Sequence, residues 1–480
     1  MRIRSSSWFV LAIALVLLQP RLHAQLYVAN QLSDNVSAYT VNSATGALTP
    51  AVGAPYAAGL VPWSAAVDPT GRFAYVANQG SGNVSGYTVN AATGVLTPIA
   101  GSPFAAGVGA QSVVVDPAGR FAYVANVGAN TVSAFSINGT TGALTPIASS
   151  PFNTGSSPHF LTINPNGKYV YVANSGDNTI SVYAVNGSTG ALTQIAGSPF
   201  LTGSNPLSIG IDPTGRFAYV VDNGINAVAA YTIGASGGLT PIAGSPYPAG
   251  ALPVSAAVDA TDRFLYVSNY GDGTISGYAI KSTTGALTPL AGSPFSAAGV
   301  CAESATIDAT ASFAYFADNC NGLGVLGYTI DHTTGALSTI SGSPWAAGQG
   351  PLGIAVRQII PMSAFSVPVF TDNRDGLVEV ADVTLNPKSP GVNFSTQAMF
   401  LTYGSTSIVV PPGSLRQLDA RDWLYLGVIN GVGIALDVYQ ASATQYVVGV
   451  AASVNLTGQP QPMNVGVQIG PNAGSANVRH

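Results

Sequence analysis

One pattern constrains this chain more than any other: a Tyr-Val-Ala-Asn-type segment that returns at a nearly constant step. Its tyrosines are Tyr27, Tyr75, Tyr123, Tyr171, Tyr219, Tyr266 and Tyr315, 47 to 49 residues apart. A fixed period of this length marks an array of one supersecondary unit. With several strands per unit, the array is a β-propeller.

One repeat shows how the unit is built. Pro62-Trp-Ser-Ala-Ala-Val-Asp68 reads as a strand, and Asp68-Pro-Thr-Gly71 as a tight turn, with Pro presetting φ and Gly accepting a backbone that side chains resist. Phe73-Ala-Tyr-Val-Ala-Asn78 returns as a second strand, Val84 to Asn90 as a third, and Val95-Leu-Thr-Pro-Ile99 as an outer fourth. Pro98 suits an edge, where a missing N–H is tolerated. The array begins at a second strand, Leu26-Tyr27-Val28, and ends on a lone first strand, Pro351 to Arg357. First strands and second strands each number seven, so the orphan at 351–357 completes the blade begun at residue 26. That pairing closes the ring and removes an exposed edge. The expected organisation is a propeller over residues 25–359 and a β-sandwich over residues 360–480, with the alternating apolar pattern of the tail supporting the latter.

Only 7% of residues are charged, and abundant Gly, Ser, Thr and Asn suit short strands and turns. The one long apolar run, Trp8 to Leu18, follows Arg2 and Arg4 and precedes Leu22-His23-Ala24. It is too short to span a bilayer and reads as a signal peptide over residues 1–24, with a secreted or periplasmic mature chain and no membrane span. Cys301 and Cys320 are the two cysteines. Facing Asp308 with Phe313 and counting outward sets 301 opposite 320, within reach of a disulfide.

The strand order gives the ring two faces. Arg72, Arg120, Lys168, Arg216, Arg263 and Lys281 fall in turns of the bottom face, together with acids such as Asp68 and Asp212. Asp34, Asp177, Asp222, Asp272, Glu303 and Asp318 fall on the top, with no Lys or Arg beside them. Such a top face suits an ordinary solvated surface or one that attracts cations or sugars. It repels phosphates and nucleic acid, so no nucleic-acid partner is expected. The residue just inside each first strand lies near the mouth of the central channel, and that rank reads Trp63, Gln111, His159, Leu207, Val254, Glu303 and Leu352. His159 and Glu303 are candidate general acid and base, or metal ligands for a divalent cation, Ca²⁺ or Mg²⁺. They stand in the third and sixth blades and act only on a ligand held between them. Anchoring of loops by these polar groups is the plainer alternative. Trp63 and Gln111 are candidate substrate-binding residues. Asn78, Asn126, Asn174 and Asn269 are expected to bond the loops that follow them. No zinc spacing, phosphate loop or nucleophile elbow occurs. Asp372 to Gly376 departs from calcium-loop spacing at Glu379.

Tyr171-Val-Ala-Asn-Ser-Gly-Asp-Asn-Thr-Ile-Ser-Val-Tyr183, flanked by Asn164-Pro-Asn-Gly-Lys168 and Thr189-Gly-Ala-Leu-Thr-Gln194, resembles the seven-bladed propeller lactonase family. That family includes 6-phosphogluconolactonase-like and carboxymuconate-lactonising enzymes and shades into exported Tyr-Val-Thr-Asn repeat proteins. The resemblance covers roughly residues 26–357 and implies an all-β seven-bladed propeller. It implies a lactone or carbohydrate-like small-molecule ligand, with His159 and Glu303 as the positions matching the family's channel-mouth His and Glu. The absence of top-face Arg or Lys departs from the muconate enzymes and disfavours a phosphorylated or polycarboxylate substrate. The expectation is a lactonase-like hydrolase acting on a neutral or weakly charged lactone, with a non-catalytic binding or surface scaffold as the alternative. In the tail, Val409-Val-Pro-Pro-Gly-Ser414, Gly427-Val-Ile-Asn-Gly431 and Val467 to Ser475 resemble a small β domain found at the C-termini of exported bacterial proteins.

Overall fold

The computed structural model describes residues 24–297, 301–319 and 324–357, together with a set of strands between residues 367 and 469. Residues 24–357 build seven antiparallel sheets in a ring. We number the blades by their inner strands: Pro62–Val67, Ala110–Val115, Pro158–Ile163, Pro206–Ile211, Pro253–Val258, Ala302–Ile307 and Pro351–Arg357. The fold is the all-β seven-bladed propeller that the repeat predicts, with a single 3₁₀ turn, Asn223–Ile225, and no α-helix among the described residues.

Each inner strand pairs outward with a second strand and that with a third, as Phe73–Asn78 and Asn83–Val89 do in blade one. The outermost strand is in two pieces rather than one. Leu96–Pro98 pairs with the end of the third strand, and Phe104–Ala105 with its start. The sequence reads 102–105 as connection alone. The aromatic supplies the difference: the Phe104 ring lies over Gly86, where an added Cβ would come within 2.9 Å of it. In blade seven, Ala24–Asn30 pairs with Pro351–Arg357, Tyr27 facing Ala355 and Leu26 facing Val356, so the first and last propeller strands share one sheet.

The recurrent tyrosines hold blade to blade. All seven are buried on the second strand, and each hydroxyl donates to a glycine carbonyl in a turn of the following blade. Tyr75 bonds Gly142 at 2.7 Å, Tyr123 bonds Gly190 at 2.9 Å, and Tyr315 crosses the seam to Gly46 at 2.7 Å. A buried phenol needs such a partner, which explains why this residue type recurs with the period of the blade.

The polar ends of the strands are also internal. Asn78 Nδ2 donates to Asn83 Oδ1 (2.8 Å) and Ser85 Oγ (2.9 Å), so these asparagines bond the third strand rather than the loop. Asp68 and Asp212 are buried brackets of the bottom turns, with Oδ1 accepting from Phe73 N and Phe217 N at 2.6 Å. On top, Asp34 accepts from Val61 N (2.8 Å), Asp177 from Ser156 N (2.5 Å) and Asp272 from Ala251 N (2.8 Å). Asp222 and Asp318 are fully buried. Asp34, Asp177 and Asp272 thus stay at the surface of the top face while bracing backbone N–H groups, whereas Asp222 and Asp318 are withdrawn from it, so the top-face charge is less uniform than the sequence suggests.

Beyond residue 357, Val367–Pro368, Asn464–Ile469, Met399–Tyr403 and Thr406–Val410 form one antiparallel sheet. Val383–Thr384, Gln445–Ala452, Val432–Gln440, Asp422–Ile429 and Arg416–Asp419 form another. The sandwich packing expected of this region lies outside the described residues, as do residues 1–23 and the segment Asp372–Glu379.

Candidate functional site

The inner strands of all seven blades slip by one residue against their neighbours, and the slip falls at the channel mouth. In blade one, Pro62 faces Asn78 but Ser64 faces Ala77, leaving Trp63 extra. Gln111, His159, Leu207 and Val254 are extra in the same way in blades two to five. In blades six and seven the slip spans Glu303–Ser304 and Leu352–Gly353. A bulge frees a residue from the ladder and re-aims its side chain. The rank singled out in the sequence as breaking the aliphatic pattern is thus the rank the backbone releases.

The slip also moves the cysteines. Ala302 faces Asp318, and Asn319 N donates to the Cys301 carbonyl at 3.3 Å, so Cys301 is level with Asn319 rather than with residue 320. Cys301 is disulfide-bonded; Cys320, the other cysteine of the chain, lies outside the described residues.

Inside the bulges runs an axial cavity of about 510 Å³, lined by inner strands and carrying Trp63, His159 and Glu303. His159 Nδ1 lies 3.0 Å from the Leu207 carbonyl. A carbonyl only accepts, so Nδ1 carries the hydrogen and Nε2 holds the lone pair. Burial lowers the imidazole pKa, with the Leu207 bond opposing it in part; the neutral, basic form persists to lower pH than in water. The Trp63 ring meets His159 edge to face, centroids 6.0 Å apart and planes at 88°. They stand two blades apart and meet because the intervening residue withdraws. Gln111, only 2% exposed, is not part of the cavity wall; its Oε1 accepts from Gln79 Nε2 at 3.0 Å. Burial raises the Glu303 pKa, partly offset by Asn319 Nδ2 at 3.4 Å from Oε1.

The structure therefore brings Trp63 and His159 into contact, sets Glu303 on the same cavity three blades on, and leaves Gln111 outside it. It also adds residues the sequence reading passed over. Immediately after the bulged rank, Ser64, Ser112, Ser208, Ser255 and Ser304 line the cavity, interrupted by Phe160 and Gly353. Four of these hydroxyls accept a backbone N–H from the next blade: Ser64 from Val113 (3.4 Å), Ser112 from Leu161 (3.3 Å), Ser208 from Ala256 (3.3 Å) and Ser255 from Ala305 (3.2 Å). Their oxygens are engaged and their hydrogens remain to donate. The signal was present as a serine column one place after the mouth rank. No Lys or Arg belongs to the wall, and no group of three or more His, Cys, Asp or Glu side chains converges among the described residues.

A ring of seven four-stranded units around one axial cavity, with an imidazole and a carboxyl at its bulged mouth, defines the class as a propeller with its candidate site on the axis. The chain belongs to the family described as lactonase, 7-bladed beta-propeller, which matches residues 21–109, 101–204 and 196–351. Among curated proteins none matches this chain. Similar solved structures include a candidate 6-phosphogluconolactonase from Bacteroides fragilis, with 20% identity, TM-score 0.62, and 71% of this chain and 99% of that one covered. Another candidate 6-phosphogluconolactonase, from Bacteroides uniformis, has 18% identity, TM-score 0.60, and coverage of 70% and 100%. The periplasmic gluconolactonase of Pseudomonas aeruginosa has 18% identity, TM-score 0.58, and coverage of 69% and 98%. At these identities the structural likeness carries the fold.

Proposed function

We propose that this protein is an exported lactonase that hydrolyses a neutral or weakly charged lactone at the mouth of its channel. The observation that carries the reading is His159: its Nδ1–H is committed to Leu207, which leaves a basic Nε2 on a cavity of substrate size. In the proposed reaction a water adds to the lactone carbonyl carbon while Nε2 takes its proton. The ring C–O bond then breaks, and the leaving oxygen receives that proton back to give the hydroxy acid. Glu303, whose proton burial retains to higher pH than an ordinary carboxyl, hydrogen-bonds the leaving oxygen from the far wall. The serine hydroxyls donate to the carbonyl oxygen as charge develops there. A wall without Lys or Arg favours a substrate without phosphate or multiple carboxylates. One carboxyl and one imidazole across a channel are fewer hard donors than Ca²⁺ or Mg²⁺ sites collect, so the proposed steps use protein groups and water alone. Export rests on the apolar run from Trp8 to Leu18 and its flanks.

The test is a pH-stat assay of the purified protein on simple lactones, with and without Ca²⁺ or Mg²⁺. Turnover is expected, and His159→Ala should abolish it with little change in melting temperature. Absence of turnover on every lactone would transfer the protein to the non-catalytic binding class, and an active His159→Ala variant would remove His159 as the base.

A further inference from the structure

We propose that the rim of the channel beside Trp63 binds an aliphatic chain, so that the lactone this site takes carries an alkyl substituent. This inference rests on the lactonase reading above and specifies its substrate.

Leu32, Leu60 and Val108 are 69%, 57% and 71% exposed, and they stand on three consecutive blades: seven, one and two. Leu32 occupies a loop position filled by Gly80, Gly128, Gly176, Gly224 and Gly271 in the next five blades. It leans on Gly350, where an added Cβ would meet its Cγ at 2.8 Å. The loop carrying Leu32 is tied to the next blade through Asp34, whose Oδ1 accepts from Val61 N. Leu60 and Val61 border Gly80, and Gly82 in turn borders Val108. The three aliphatics thus lie along one strip, with Gly80, the exposed Ser81 and Gly82 between Leu60 and Val108. Residues 60 and 61 lead directly into Pro62 and Trp63, so the strip runs into the cavity wall.

The rest of the described rim differs. At the ranks of Leu60 and Val61, blades three and four carry Ser156, Ser157, Ser204 and Asn205. Ile225 and Leu252 lie beyond that polar stretch, on the side away from Trp63. The only carboxylate on the strip, Asp34, is turned onto a backbone N–H. Three exposed aliphatics on consecutive blades, adjoining the cavity wall at Trp63 and parted from Ile225 and Leu252 by the polar stretch of blades three and four, fit a ligand whose polar ring enters the cavity while a chain leaves over blades seven, one and two.

The experiment measures kcat/KM for γ-lactones bearing methyl, butyl and octyl groups. It compares the wild type, the triple variant Leu32→Ser/Leu60→Ser/Val108→Ser, and the control Leu201→Ser, an exposed aliphatic off the strip. Burial of a methylene on a half-open rim should raise kcat/KM by about two- to fourfold per carbon. The triple variant should flatten that dependence, and Leu201→Ser should keep it. A wild type indifferent to chain length, or a dependence that survives in the triple variant, overturns the proposal. If no lactone is turned over, the lactonase reading falls and affinity for the matching alkyl lactams decides the rim alone. Chain-length-dependent affinity lost in the triple variant supports it; affinity independent of chain length, or none, overturns it. Triple-variant-sensitive binding to phosphatidylcholine vesicles without ligand, or a triple-variant-sensitive dimer in sedimentation, assigns the strip to a membrane or a second copy and also overturns it.

Discussion

Gly353→Ala probes the joint between the closing strand and blade one. An added Cβ at 353 would lie 2.4 Å from the Trp63 carbonyl oxygen and 2.5 Å from Ser64 Cα. Both are backbone atoms, so no rotamer change relieves the contact. Gly353 is not among the positive-φ glycines, and the penalty is therefore one of space alone. Restoring ordinary contact needs the closing strand to move by about 1 Å, against the Val28–Ile354 and Leu26–Val356 pairings. Overpacking of this kind costs about 1–3 kcal/mol. Spread over the unfolding entropy of a ring this long, about 2.1 cal/mol/K per residue, that lowers the melting point by roughly 1–4 °C. The matched control is Gly139→Ala, where nothing lies within 4 Å of the added Cβ. Circular-dichroism melts of both variants read the difference. If Gly353→Ala melts with Gly139→Ala, the closing strand is not seated against Trp63 and Ser64, and the geometry of the channel mouth is wrong with it.

Three further outcomes follow from the same structure. Deleting residues 351–480 should destabilise the ring far more than deleting 361–480, because only the former removes the strand paired with Ala24–Asn30; equal melting points would refute circular closure. The rise of kcat/KM with pH should have its midpoint below the ordinary histidine range, since burial depresses the His159 pKa and extends the basic form to lower pH; a midpoint above that range would exclude His159 as the base. Asp222 is fully buried, pairs with Ala227, and has its pKa raised from 3.8 to about 6 by burial. The folded state therefore binds this proton more tightly, and the stability so gained is present below pH 3.8 and lost as pH rises to about 6. The combined change Asp222→Asn/Ala227→Thr/Ala229→Ser recreates the Asn174–Thr179–Ser181 arrangement of blade three. Denaturant titrations should show the variant gaining on the wild type across that interval, by up to about 3 kcal/mol; a constant difference would show that Asp222 does not titrate there.

The fold was legible because its fixing residues are periodic. Tyr27 to Tyr315 recur with the blade, and the half-repeats at residues 26 and 351 announce their own pairing. The candidate site was legible only as exceptions within a column. Trp63 and His159 proved to share the cavity, whereas Gln111, in the same column, is held aside by Gln79, a partner 32 residues away in a turn of the preceding blade. No local pattern encodes that contact. The one-residue bulge leaves no mark in hydropathy, and so the cysteine register counted from Asp308 came out one place off. The bracing role of Asp34, Asp177 and Asp272 went unread because their partners are backbone N–H groups. The column itself held the clue: Asn130, Asn178 and Asn226 perform at Ser157, Asn205 and Leu252 what Asp34 performs at Val61. A position that accepts Asn and Asp alike is selecting an acceptor oxygen.

The shared sheet of blade seven sets an order of events during synthesis. The strand Ala24–Asn30 emerges first, yet its inner neighbour, Pro351–Arg357, emerges some 320 residues later. At ordinary elongation rates that is a wait of roughly 15–65 s. Tyr315 must likewise reach back to Gly46, a turn made long before it. Through that interval the earliest strand presents an open edge and six blades stand as an incomplete arc. A ring closed in this way acquires its last contacts all at once, when the chain passes residue 357. A chaperone that shields the first strand, or a membrane crossing that keeps the chain extended until then, would protect the stage at which it is most exposed to pairing with another copy.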